Sequence, residues 1–161
     1  MIERAVVNAG PLIALSLLGR LDLLPALFRE VWIPEAVHRE ISAGEERPAF
    51  AELQTPNWLA RVRAAPTPDL LLVAELDPGE AAVISLARQL APCVALIDER
   101  RGRRIAANVY GLPVKGVVGL LAEARRRGLI PALRPLLATL RQAGYYIAEN
   151  LVEVACESVG E

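Results

Sequence analysis

The chain is poor in the residues on which many chemistries rest. It carries one histidine, His38, two cysteines, one methionine and a single lysine, Lys115, and aromatic side chains make up only 4% of its 161 residues. His38 lies off the apolar stripe of its helix and reads as solvated. Without a nucleophile elbow beside it, serine-hydrolase chemistry has no support. Cys93 and Cys156 show neither metal nor redox spacing, so both read as small buried hydrophobes in a reducing, cytoplasmic compartment. No dinucleotide fingerprint is present. No apolar run approaches the roughly 20 residues of a membrane helix, and residues 1–7 lack the basic-then-apolar order of a secretion signal. Formal net charge is −1, so any nucleic-acid footprint must be local rather than a bulk polycation.

What the chain has in plenty is apolar surface. The hydrophobic fraction is 53%, high for one domain, and the excess is expected to cover a subunit or partner interface, which points to a homo-oligomer. The length fits a single domain over residues 1–161 with one core.

The stretch from Cys93 to Arg104 organises the rest. Cys93 to Ile97 is a short unbroken apolar run, and Asp98 and Glu99 follow, then Arg100, Arg101, Arg103 and Arg104. Such a run reads as a strand buried on both faces of a parallel sheet. In those sheets ligands bind beyond the carboxyl ends of the strands, which is where Asp98 falls.

The other elements agree. Ala5-Val6-Val7 and Val31-Trp32-Ile33 read as strands, Trp58 to Val62 as an alternating strand near the sheet edge, and Gly111 to Gly116 as a brief last strand. Asn8 and Pro11 open one helix, Pro34 begins another running to Ala43, and Leu70 to Ala74 is read as helical. Asp77-Pro78-Gly79-Glu80 opens the most apolar helix. An arginine-rich helix runs to about Val109, and three helices fill 117–127, 130–143 and 148–158. The region from Gly44 to Pro68 is a polar, proline-punctuated connection. Strands alternating with helices predict a parallel α/β sheet of four or five strands with helices on both faces, a Rossmann-type three-layer arrangement ending in helices.

Four oxygen-bearing side chains stand at element ends or on inward faces: Asn8, Glu40, Glu80 and Asp98. Glu40 shares the stripe of Ile33, Ala36, Val37 and Ile41, where an acid needs a cation or a metal. Converging oxygens suit a hard ion such as Mg²⁺ or Mn²⁺, which activates water for phosphodiester displacement. Each also has a plainer role. Asp77 and Glu80 make an acidic capping box, Asp98 caps the arginine helix, Glu40 pairs with a buried arginine, and Asn8 is an N-cap. The arginines equally form a solvated face. A phosphorelay receiver would need an acidic pair after the first strand, which Asn8 and Ala9 do not supply.

Taken in series, Val6-Val7-Asn8-Ala9-Gly10-Pro11-Leu12-Ile13, Gly19-Arg20-Leu21-Asp22-Leu23-Leu24, Ile33-Pro34-Glu35-Ala36-Val37, Gly79-Glu80-Ala81-Ala82 and Ile97-Asp98-Glu99-Arg100-Arg101 resemble the PIN-domain superfamily, in particular its VapC-like branch of predicted nucleic-acid-binding proteins. The resemblance implies a PIN-like α/β fold and a Mg²⁺- or Mn²⁺-dependent ribonuclease of the toxin–antitoxin type, with RNA as substrate and an antitoxin protein as partner. By family pattern the catalytic positions match Asn8, Glu40, Glu80 and Asp98, with the metal on Glu40, Glu80 and Asp98. Arg100, Arg101 and Arg104 are expected to hold phosphates. Asn8 departs from the pattern's aspartate and removes one negative charge from the pocket, while Glu99 is positioned in sequence to supply another. The alternative is a catalytically weak PIN-like module that binds nucleic acid or protein without cutting.

Overall fold

A computed structural model of the chain describes residues 2–44 and 49–161. In chain order the elements are β1 (Arg4–Val7), α1 (Ala9–Leu17), α2 (Leu23–Leu27), β2 (Glu30–Pro34), α3 (Glu35–Ala43), α4 (Ala49–Leu53), α5 (Pro56–Leu59), β3 (Val62–Arg63), α6 (Leu70–Glu75), α7 (Pro78–Gln89), β4 (Val94–Leu96), α8 (Arg100–Arg104), a π-helical turn (Ile105–Val109), β5 (Val114–Lys115), α9 (Val117–Arg126), α10 (Arg134–Gln142) and α11 (Glu149–Ser158). The strands form one five-stranded sheet of order β3-β2-β1-β4-β5, every pair parallel. Helices cover it in the three-layer α/β manner that the alternating pattern predicts.

Ala5, Val6 and Val7 have no exposure at all, as a central parallel strand requires. β1 pairs with β2 through Val6↔Trp32 and with β4 through Val7↔Leu96. Strand order therefore reverses beside β1, and the crevice at a doubly wound sheet's ligand end opens between the ends of β1 and β4. α7 packs on β1, β2 and β4 and is buried along Gly79–Ala87, which accounts for its nearly continuous apolar sequence. It starts where the Asp77 carboxylate accepts the Glu80 N–H at 2.8 Å, an N-cap bond of the ordinary kind.

Several boundaries differ from the sequence expectation. Pro34 ends β2 instead of opening a helix. Trp58 is buried in the helical turn of α5, and only Val62–Arg63 joins the sheet, at its edge beside Ile33. The arginine helix is not α-helical to Val109: α8 stops at Arg104 and Tyr110 N–H reaches back to Ile105 O, a π-type step. α10 begins at Arg134, not Ile130, because Pro135 suits a first turn and the Glu161 carboxylate accepts the Leu133 and Arg134 N–H groups at 2.8 and 3.1 Å. That capping carboxylate comes from 27 residues away, so no local pattern could announce it. His38 is half-buried, its ring 3.3 Å from the Gln54 amide, rather than solvated. Residues 45–48 of the polar connection, Pro48 among them, lie outside the described residues. Cys93 and Cys156 are free and buried, as expected of apolar fillers.

Candidate active site

The parallel pairing of β1 and β4 sets Asn8 and Asp98 side by side. Asn8 N–H donates to Leu96 O at 3.0 Å, so both residues leave the sheet at its carboxyl edge. Asn8 precedes α1 with extended backbone, yet its side chain makes no capping hydrogen bond. It is 8% exposed, and its Oδ1 is buried without a partner. An unpaired buried carbonyl costs about 1–3 kcal/mol, so the plain capping role does not explain Asn8.

Gly79, in the first turn of α7, is the meeting point on this side. A Cβ placed there would stand 3.0 Å from Glu40 Oε2, 3.4 Å from Asn8 Oδ1 and 3.5 Å from Asp77 Oδ1. The missing side chain is what lets three oxygens from α3, β1 and α7 approach one backbone position. Glu40 does not lie inward as the helical stripe predicts. It is largely exposed, and only its carboxylate tip reaches this point.

Glu80, the next residue, is 4% exposed and its Oε1 also lacks a partner. Burial pushes its pKa up to about 7, helped by the charges of Asp77 and Glu99 and by a hydrogen bond with the Glu99 side chain, all of which favour the protonated form. Oε1 lies 3.2 Å from the Cβ position of Gly102 in α8. Glu99 is therefore in the neighbourhood of Glu80, and it stands at the N-terminal edge of α8 without a side-chain cap bond.

Asp98 is in the opposite condition. Its Oδ1 accepts the Val117 N–H at 2.6 Å, its Oδ2 accepts the Tyr145 hydroxyl, and its backbone carbonyl accepts from Arg103. Burial raises its pKa, and these three partners oppose the rise. The same contact and burial drive the Tyr145 hydroxyl well above its ordinary pKa. A Cβ on Gly116 would fall 2.8 Å from Asp98 Oδ1, so glycine there is required for the carboxylate to cap α9. Asp98 thus caps α9, across the sheet edge, and not the arginine helix that follows it in sequence.

The arginines separate by partner. Arg101 is paired with Glu75 and Arg103 with the Asp98 carbonyl. Arg100 and Arg104 are exposed and make no ion pair among the described residues. Three groups that border the site escaped the sequence reading of function. Asp77 was legible only as a cap, Arg103 only as part of a charged run, and Tyr145, 47 residues beyond Asp98, left no signal.

Oxygen donors alone, two of them buried and unpartnered, fit a hard divalent cation better than a zinc or copper site. Asn8 and Glu80 supply those two donors, and Glu40 and Asp77 lie beside Asn8. Among the described residues no three His, Cys, Asp or Glu side chains form a ready-made metal cluster, so the fit depends on the Asn8 amide oxygen and on water completing the shell.

No curated protein matches the chain. A family model described as a PIN domain matches residues 4–161. That match runs from β1 to the final residue and agrees with the parallel sheet. The chain belongs to the PIN-domain family and has its nuclease-type fold.

Proposed function

We propose that the protein is a Mg²⁺- or Mn²⁺-dependent endoribonuclease of the VapC-like, toxin–antitoxin kind, with activity tempered by the amide at Asn8. One observation carries the reading: Asn8 Oδ1 and Glu80 Oε1 are buried oxygens with no hydrogen-bond partner, at the ligand end of the sheet. A cation is the partner such atoms lack. Asn8 and Glu80 would hold it, with Glu40 beside Gly79, Glu99 against Glu80 and Asp77 fixing the start of α7. When bound, such an ion polarises a phosphoryl oxygen and lowers the pKa of water. Glu80, with its pKa near 7, is ionised over the upper half of the neutral range and can bind either a proton or a cation. Asp98, with one hydrogen bond on each carboxylate oxygen, also positions β4 against α9. Arg100 and Arg104 are free to meet phosphates, whereas Arg101 would first have to leave Glu75.

Cleavage of a labelled RNA in Mn²⁺ tests this. Activity should vanish with EDTA and with Glu80→Ala, and cleavage that survives both would sink the metal mechanism.

A second reading has its own observation. Both oxygens of Asp98 are satisfied internally and Asn8 carries no charge, which favours a module that binds nucleic acid or protein and cuts weakly. RNA binding without cleavage in Mn²⁺ would select it.

For partners, α6 presents Leu70, Leu71 and Val73 at 88, 41 and 61% exposure. A face of that kind supports a homo-oligomer or an antitoxin contact. Sedimentation giving a monomer at high concentration would remove the first. No helix among the described residues is long and apolar enough to cross a membrane; a cytoplasmic location is part of the proposal.

A further inference from the structure

Beside Asp98 lies a cavity of about 540 Å³, lined by residues of α8, α9 and the segment leading into α11. That is within the range of small-ligand pockets, about 300–1,000 Å³. Tyr146 lines it at 88% exposure. Among aromatic side chains the structure describes, it alone is left largely in solvent. Arg100 also lines the cavity. Its neighbours Arg101 and Arg103 are engaged, and Arg100 has no ion pair among the described residues. The floor is apolar, with Val118 and Ile147 almost covered and Leu151 at 44%. Asp98 lines one wall, with its carboxylate held by the Val117 N–H and the Tyr145 hydroxyl.

An exposed ring, an unpaired guanidinium and an apolar floor together match one ligand chemistry, that of an unstacked nucleotide. Base faces stack on aromatic rings whatever the sequence, and guanidinium groups meet phosphates. We propose that this cavity receives one unpaired nucleotide of a single-stranded RNA, its base on Tyr146 and its phosphate against Arg100. The proposal rests on RNA being the ligand of the adjoining site and adds a base-stacking subsite to it. A duplex, whose bases are already stacked on both faces, gains nothing from Tyr146.

Gly119 permits a direct test. It lines the cavity, and a Cβ there meets nothing within 4 Å. Gly119→Leu should therefore start its side chain in open space and intrude on the cavity, and a thermal midpoint equal to or above the wild type's, as leucine's helix propensity favours, checks that the fold is kept. The probe is a fluorescein-labelled, mixed-sequence, single-stranded oligoribonucleotide, followed by anisotropy in EDTA so that metal-dependent hydrolysis cannot run. Tyr146→Ala should weaken binding roughly 5- to 150-fold, Tyr146→Trp should keep it, and Gly119→Leu should weaken it with the fold intact. Arg100→Ala should lower the slope of log affinity against log salt by about 0.7. Unchanged affinity in both Tyr146→Ala and Gly119→Leu, equal binding of a duplex, or no binding by the wild type would overturn the proposal. Cleavage in Mn²⁺ is scored separately. Cutting that persists with these variants unaffected removes the nucleotide subsite and leaves the nuclease. Tyr146-dependent binding without cutting does the reverse.

Discussion

Two halves of one sheet edge, built on the same plan, end in opposite electrostatic states. At the end of β1 and the start of α7, Asn8 and Glu80 each bury one oxygen without a hydrogen-bond partner among the described residues. At the end of β4, Asp98 holds a half-buried carboxylate whose two oxygens and backbone carbonyl all have donors. Position at a strand's carboxyl end is thus common to sites and to structural clamps. What separates them is whether the polar atoms are already paired, because a buried unpaired acceptor is costly and invites a partner from outside the chain. Under the proposed function a cation would complete the Asn8 and Glu80 oxygens. The β4 half has cations to spare and faces a cavity suited to a phosphate-bearing ligand.

The largest effect expected is on the β1 side. Glu80→Ala should lower Mn²⁺-dependent cleavage by about three orders of magnitude, beyond the 10- to 100-fold typical of groups that only orient a metal ligand, as read from initial rates on labelled RNA. An equal loss from Tyr145→Phe would erase the contrast between the halves.

Next comes stability against pH. The folded pKa of Glu80 is about 7 against an ordinary 4.5, so the unfolded chain ionises first as pH rises. Its contribution is full below pH 4.5, falls as pH climbs towards 7 and is gone above, a loss on the order of 3 kcal/mol. Glu80→Gln should flatten that part of the curve and raise the thermal midpoint at pH 8. Denaturant titrations across this range check it, and a wild-type curve already flat between pH 5 and 7 would remove the premise.

On the β4 side the expected changes are structural. Asp98→Ala strands the Val117 N–H and the Tyr145 hydroxyl and should cost about 2–3 kcal/mol in denaturant unfolding. Gly116→Ala sets a methyl against Asp98 Oδ1 and should cost a similar or smaller amount, about 1–2 kcal/mol, with little change in Mn²⁺ affinity. A large loss of metal binding from Gly116→Ala would place the ion on the β4 half instead. The smallest effect is Asn8→Asp, which adds a carboxylate to an oxygen already in place and should strengthen Mn²⁺ binding about tenfold by calorimetry.

The sheet and the location of the site were legible because they depend on local pattern. Unbroken apolar runs such as Cys93 to Ile97 mark buried parallel strands, and Asp77 with Pro78 marks the start of α7. Glu40 was legible as a helix position but not as a side chain, since its length lets the carboxylate reach the Gly79 region from a largely exposed base. The state of Asp98 was not legible at all. It is set by Tyr145 in a loop and by Gly116 before α9, contacts made only when the chain has folded. The π-helical turn after Arg104 likewise has no residue that demands it. Asn8 looked like a cap in sequence because the type and position both suit one, and only the orientation of its amide excludes that role.

Calorimetric titration of Mn²⁺ into wild type, Glu80→Gln and Asp98→Asn at pH 8 tests the central contrast most directly. The account predicts binding by the wild type, its loss in Glu80→Gln and its survival in Asp98→Asn. Binding that is the same in all three, or that disappears with Asp98→Asn while Glu80→Gln retains it, would contradict the account.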